Sequence, residues 1–274
     1  MELGIFSRTY EAGGLGEVFR RMADHGIRHT QFNFSSAGLP SLPETIAPEQ
    51  LETIRTLADR FQITLDALSG TFNMIDPDED ARERGCRQFQ TQCAAARQLG
   101  IPIVSLCTGS KNPKSKWVWH DDNSSPAAWD ELLRSTERVL RAAEDNNVIL
   151  GVETEASNII NTPARARQYL DTMGSPRLKI IMDGANLFRP EQVPYQAQVL
   201  DEAFDALGGD IVLAHAKDFT FAQSLSFVAA GAGSLDFPRY IALLKRAGYR
   251  GVLEMHGLSE EQIPASRSFL EALL

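Results

Sequence analysis

Short apolar runs of β-forming residues alternate with longer amphipathic stretches along the whole chain. The apolar runs are LGIF (3–6), HTQFNF (29–34), ITLDALSG (63–70), IPIVSLCT (101–108), VILGVET (148–154), LKIIMD (178–183), IVLAHA (211–216) and GVLEM (251–255). Each has the length of a strand, and several are apolar almost throughout, as strands buried on both faces are. Between them, LGEVFRRMADHG, PEQLETIRTLADRF, RERGCRQFQTQCAAARQLG and PAAWDELLRSTERVLRAAEDNN place apolar residues three and four apart, and several close on Gly or Asn. These are the marks of helices with one buried stripe. TPARARQYLDTMG, a helix around 194–207, DFPRYIALLKRAG and a last helix from about 260 complete the set.

Eight strands alternating with eight helices predict repeated βα units, which close as a parallel barrel with no edge left over. An open doubly wound sheet would often carry a Gly-rich phosphate loop after its first strand. The nearest run here, AGGLG (12–16), lacks the GxGxxG spacing. The expected fold is therefore α/β, a single (β/α)8 TIM barrel formed by residues 1–274 as one domain, a length ordinary for that fold. The longest irregular stretch, TGSKNPKSKWVWHDDNSSP (108–126), follows the fourth strand. Long βα loops lie on the catalytic face of a barrel, so this one is expected to wall a site.

Composition narrows the partners. Hydrophobic residues make up 43% and charged residues 23%, ordinary globular usage. A net charge of −9 repels polyanions, so no nucleic-acid partner is expected. No run of about 18 apolar residues occurs, and the opening MELGIFSRTYEAGG has no basic stretch followed by an apolar one. The expectation is a cytoplasmic protein with no membrane partner; a homo-oligomeric state is left open. Three cysteines are too few for a disulfide framework. Cys86 and Cys93 are expected on one shared face of a helix; Cys107, after an apolar run, is the one cysteine placed where it could reach a site, though packing is its simpler reading.

The last four strands each end on an acidic residue or a histidine: Glu153 in GVETE, Asp183 in IIMDG, His215 in LAHAKD and Glu254 in VLEMH. They are spaced 30, 32 and 39 residues apart, each about one βα unit, so four successive strands would aim one ligand each at a common point. A lone acidic residue at a strand end is more often a cap or an ion-pair partner. Four together, each interrupting an apolar strand where an unpaired charge is costly, point to one divalent metal. Three carboxylates and an imidazole suit Mn²⁺ first, with Mg²⁺, Co²⁺ or Zn²⁺ as alternatives.

The blocks ETE (153–155), MDGAN (182–186), HAKDF (215–219) and GAGSLDFPRYIALLKRAGYRGVLEMHG (231–257) resemble the sugar phosphate isomerase/epimerase group of the xylose-isomerase-like barrel superfamily. SGTFNM (69–74) and the loop at 108–120 resemble one branch of it, so the likeness covers nearly the whole chain. The resemblance implies a barrel enzyme in which Glu153 and Glu254 are both metal ligands and proton shuttles, working on a carbon next to a metal-bound carbonyl. A small sugar or related polyhydroxy carbonyl compound is the implied substrate. The group also contains dehydratases and endonucleases, so a lyase acting on a keto-inositol remains an alternative, as does a barrel that binds metal and sugar without turnover. Where several epimerases of the group have a substrate-contacting histidine three residues after the strand-six aspartate, this chain has Asn186. Its five histidines, His25, His29, His120, His215 and His256, do not make the three-metal cluster of endonuclease IV.

Further substrate-binding candidates follow from position. Glu155 and His256 each lie two residues beyond a ligand, on the same side of an extended strand. Lys217 follows His215 and is either a partner for a substrate oxygen or an ion pair to the cluster. Arg8 lies just past the first strand, and Gln31 and Asn33 alternate on the second. On the long loop, His120 with Trp117 and Trp119 offers an imidazole and aromatic faces to a sugar ring. Phe34, Phe72 and Phe188 are expected to pack the rim or core.

Overall fold

The computed structural model describes residues 1–11 and 13–274; Ala12 of the AGGLG run lies outside them. Strands β1 (Glu2–Phe6), β2 (His29–Phe32), β3 (Thr64–Ser69), β4 (Ile103–Leu106), β5 (Ile149–Glu153), β6 (Leu178–Asp183), β7 (Ile211–Phe221) and β9 (Val252–Met255) pair in parallel and in sequence. Strand β9 returns to β1, so the sheet closes, and the expected (β/α)8 barrel is the fold found. Helices α1 (Leu15–Asp24), α2 (Pro48–Phe61), α3 (Glu79–Leu99), α4 (Pro126–Asn146), α5 (Pro163–Met173), α6 (Gln196–Leu207), α7 (Phe237–Arg246) and α8 (Ile263–Glu271) surround it. None is long and apolar enough to cross a membrane among the described residues.

Local chemistry sets the helix ends. Asp78, Ser125, Thr162 and Asp236 accept backbone N–H bonds at the starts of α3, α4, α5 and α7, and Pro126 and Pro163 open α4 and α5, where their missing N–H costs nothing. The barrel interior is filled at one level by Ala67, Ile103, Ile181, Leu213 and Val252. Tyr240 of α7 reaches between two strands, its hydroxyl 2.8 Å from the Met182 carbonyl and 3.0 Å from that of His215. Cys86 and Cys93 both lie on α3 as expected and are buried there.

One element departs from the sequence reading. Strand β7 runs five residues past the expected end at Ala216, and β8 (Leu225–Ala229) folds back antiparallel on it, pairing Lys217 with Ala229 and Phe221 with Leu225. The alternation FTF…LSFV across a short AQS turn carries this hairpin signal.

The hairpin is anchored at its base by Asp218. Its buried carboxylate accepts from the backbone N–H groups of Phe219 (2.8 Å), Leu235 (2.8 Å), Gly231 (3.1 Å) and Gly233 (2.9 Å), wrapping the GAGSL turn around one charge. Gly233 is required by this close approach, because a Cβ there would stand 2.3 Å from the Phe219 carbonyl oxygen. Asp218→Asn replaces one of the two acceptor oxygens by an NH₂ group that faces two backbone N–H donors. It is expected to lower the unfolding free energy by about 2–3 kcal/mol, read as a fall in the urea midpoint at unchanged m-value. An unchanged midpoint would show that the turn holds without the charge.

Candidate active site

The C-terminal ends of the strands surround a cleft of about 690 Å³. Glu153 lines it, and Asp183 and His215, buried beneath, come together with Glu153, each of the three offering a ligand atom within 4.8 Å of the others. His215 Nδ1 lies 3.4 Å from Asp183 Oδ2 and 3.6 Å from Glu153 Oε1. Ligands about 2.1 Å from a common cation stand roughly 3.0–3.5 Å apart at their edges, so the spacing matches one small divalent ion.

The surroundings aim these atoms. His215 Nε2 is 2.8 Å from Gln31 Oε1, which makes Nε2 the protonated nitrogen and leaves the Nδ1 lone pair facing the two carboxylates. Asp183 Oδ1 accepts from the backbone N–H groups of Ala185 (3.0 Å) and Asn186 (3.2 Å). Its Oδ2 faces the cluster, with Lys217 Nζ 2.9 Å away but off the hydrogen-bond direction. Buried His215 Nδ1 thus lacks a hydrogen-bond partner, and Asp183 Oδ2 has only the Lys217 ammonium beside it. An unpartnered imidazole nitrogen facing two carboxylate oxygens in this way fits a bound cation, and it is the chief observation in its favour.

The electrostatics agree. Burial alone would raise the Asp183 pKa, but Lys217 and His215 outweigh it and hold the carboxyl well below the usual range. Burial alone would lower the His215 pKa, yet Glu153 and Asp183 hold it at about 9. Two carboxylates facing an imidazole in a dry pocket thus attract positive charge strongly, whether a proton or a metal ion.

Glu254 is not in this cluster. Its side chain is fully buried in the barrel interior with both oxygens lacking a hydrogen-bond partner and, like Asp183 and His215, it lies beneath the residues that line the cleft. Strand β9 pairs it with Gly4 on β1 and His215 on β7. Gly4 makes the room: a Cβ there would stand 2.6 Å from Glu254 Oε2. Burial, then the charge of Asp66, pushes the Glu254 pKa up to about 8. Of the four expected ligands, three form one group, and Glu254, beside His215 in the sheet, falls outside its 4.8 Å span.

Of the expected substrate contacts, Arg8, Asn33, Glu155, Asn186, Lys217 and His256 all line the cleft. Asn186 is a bridge: its amide Nδ2 donates to Glu153 Oε1, and its Oδ1 accepts from Lys217 Nζ at 2.5 Å. Lys217, held charged by Asp183 and Glu153 against burial, also packs 4.2 Å from the Phe227 ring. Burial and Glu153 push the Glu155 pKa up to about 7. The His256 ring is stacked between Phe6 and His215, with centroids 4.9 Å away on both sides. Burial, then the neighbouring His215 and Lys217, push its pKa well below the ordinary imidazole value.

Some expectations take a different form. His120 does not line the cleft; its Nδ1 accepts from the Asp122 N–H and caps the short helix Asp121–Ser124. Trp119 Nε1 bonds Asp121 beside it, whereas Trp117 lines the cleft. Cys107 donates its S–H to Asn158 Oδ1 at 3.1 Å, and burial pushes its pKa up to about 12, an inert thiol. Phe34 and Phe72 are core residues, while Phe188 lines the cleft and packs on Phe219. Residues not anticipated from sequence are Phe6, Ser69, Thr71, Ser105, Lys116, Leu225 and Phe227.

A closed parallel barrel with acidic and imidazole groups gathered at the C-terminal strand ends defines a TIM-barrel protein of the active-site-bearing kind. The chain matches the Xylose isomerase-like TIM barrel family over residues 19–273 and belongs to it. No curated protein matches it in sequence. Among solved structures, a D-tagatose 3-epimerase-like protein superposes with a TM-score of 0.79 at 17% identity, over 100% of this chain and 97% of that one. The apo form of 3-keto-D-glucoside 4-epimerase from E. coli gives 0.74 at 17%, over 99% of each. The IOLI protein with a bound zinc atom gives 0.74 at 18%, over 100% and 98%.

Gln31→Leu removes the acceptor that sets the His215 tautomer. It is expected to weaken Mn²⁺ and Zn²⁺ binding about 10- to 100-fold, measured by competition with a fluorescent chelator. Equal affinities in the two proteins would detach Gln31 from the site.

Proposed function

We propose that the cleft binds one divalent cation through Glu153, Asp183 and His215, and that the protein is an isomerase or epimerase of a small sugar or related polyhydroxy carbonyl compound. The observation that carries this reading is the unpartnered Nδ1 of His215, set by Gln31 and facing two carboxylates at the floor of the cleft. Glu254, with two buried and unpartnered oxygens beside His215 in the sheet, is the fourth donor. Carboxylates with one imidazole suit Mn²⁺ best and accept Mg²⁺, Co²⁺ or Zn²⁺; zinc is the metal in the IOLI relative. When bound, such a cation stabilises negative charge growing on a carbonyl oxygen and so acidifies the neighbouring C–H bond.

The chain's own groups do the rest. Glu153 lines the cleft and removes the proton, held in place by Asn186. Glu254, the carboxylate of β9, is the complementary group that returns the proton. Asn33, Ser69, Thr71 and Ser105 offer neutral polar groups to hydroxyls, and Phe6, Phe188, Phe227 and Trp117 limit water. A dehydratase would also need an acid at a leaving hydroxyl. Lys217 is already committed to Asp183 and Asn186, and His256 is held neutral, so the isomerase reading has the better support.

Mn²⁺-loaded protein incubated with a ketose panel in D₂O is expected to wash deuterium into a carbon next to the carbonyl. Glu153→Gln and Glu254→Gln should each slow this exchange at least about 100-fold. His256→Gln should leave most of it; a comparable loss there would move the acid role from Glu254 to His256. No exchange with any ketose would count against the reading as a whole.

A further inference from the structure

The loop between β4 and α4 carries three lysines with different fates. Lys111 pairs with Glu131, and Lys114 is exposed. Lys116 turns inward to line the cleft. Its Nζ donates to the Thr71 carbonyl at 2.8 Å and lies 5.0 Å from the centre of the Trp117 ring. Its own carbonyl is pinned by Asn158 Nδ2 at 3.0 Å, so the backbone at this point is fixed.

Lys116 makes no ion pair with a carboxylate among the described residues. Burial lowers its pKa, and the one ionisable group that offsets this is the Cys107 thiol, itself kept protonated by burial. A largely buried ammonium without a counter-charge is costly to fold around. Lys217, in the same cleft, shows the ordinary solution, with Asp183 at 2.9 Å. An ammonium has three hydrogens. Thr71 takes one, and the others remain at the wall of a cavity where the Trp117 ring reduces screening by water.

We infer that the substrate carries a carboxylate and that Lys116 receives it, so that the cleft is built for a sugar acid rather than a neutral sugar. This rests on reading the cleft as the substrate site. A single ammonium matches a monoanion, whereas phosphate sites gather an Arg fork or several backbone N–H groups around a more highly charged group. Arg8 also lines the cleft without an ion pair among the described residues. It is exposed at the mouth and shared with a neighbouring depression lined by Thr9, Glu11 and Leu258, where water screens its charge.

Calorimetric titration of the Mn²⁺-loaded and the metal-free protein with matched hexuronates, hexoses and hexose 6-phosphates tests the assignment. Hexuronates are expected to bind about tenfold tighter than their hexoses. Lys116→Gln, which keeps a donor for Thr71, should bring that ratio to about one without lowering the melting temperature; Lys116→Arg should retain the preference. A ratio near one in the wild type for every pair, an undiminished ratio in Lys116→Gln, or tighter binding of the phosphates than of the uronates would each overturn it. Because the readout is binding, anion preference without deuterium exchange would sink the proposed reaction alone. Exchange without anion preference would sink this inference alone.

Discussion

The site depends on keeping the Asp183 carboxylate ionised in a place almost without water. Two backbone N–H groups hold one of its oxygens and the Lys217 ammonium stands beside the other. That single charge then organises its neighbours. Lys217 reaches on to Asn186, Asn186 grips Glu153, and His215 completes the ring with its free nitrogen turned inward. None of these polar groups would be tolerated so deep in the barrel alone, because each carries a desolvation cost that its neighbours must offset. Linked together, they form a rigid floor whose unsatisfied atoms face a common centre.

Much of the architecture was legible in the chain because its signals are local. Strand runs, helix stripes and Gly or Asn stops repeat at the interval of one βα unit, and the ligand residues inherit that interval by sitting where each strand ends. Position alone also placed Glu155, Lys217 and His256 in the cleft, since two residues along an extended strand return to the same face. The β7–β8 hairpin lies outside the expected strands although its alternation is visible, because the apolar run ends at Ala216 and polar Lys217 and Asp218 follow.

What escaped the sequence was decided by contacts between distant segments. Nothing in KNPKSK distinguishes Lys116 from Lys111 or Lys114; the Thr71 carbonyl and Asn158, 45 and 42 residues away in the chain, select it. Glu254 lies near the end of its strand as expected, but the room for its side chain inside the barrel comes from the missing Cβ of Gly4 on the next strand. His120 was placed by its loop rather than by the Asp122 N–H two residues on, which claims its ring. A polar residue in a long loop has local partners that compete with any ligand.

Strand β7 spans the whole depth of the molecule. It carries Leu213 in the barrel filling, His215 at the floor, Lys217 in the cleft wall and Asp218 at the base of the hairpin, then continues to the rim, where β8 brings Leu225 and Phe227 to the cleft. Floor and rim are therefore parts of one continuous backbone, clamped from outside by Tyr240 at the His215 carbonyl. Such an element behaves as a beam rather than a hinge. The rim can be lengthened, shortened or re-dressed at its free end to suit a different ligand while the charged floor keeps its alignment.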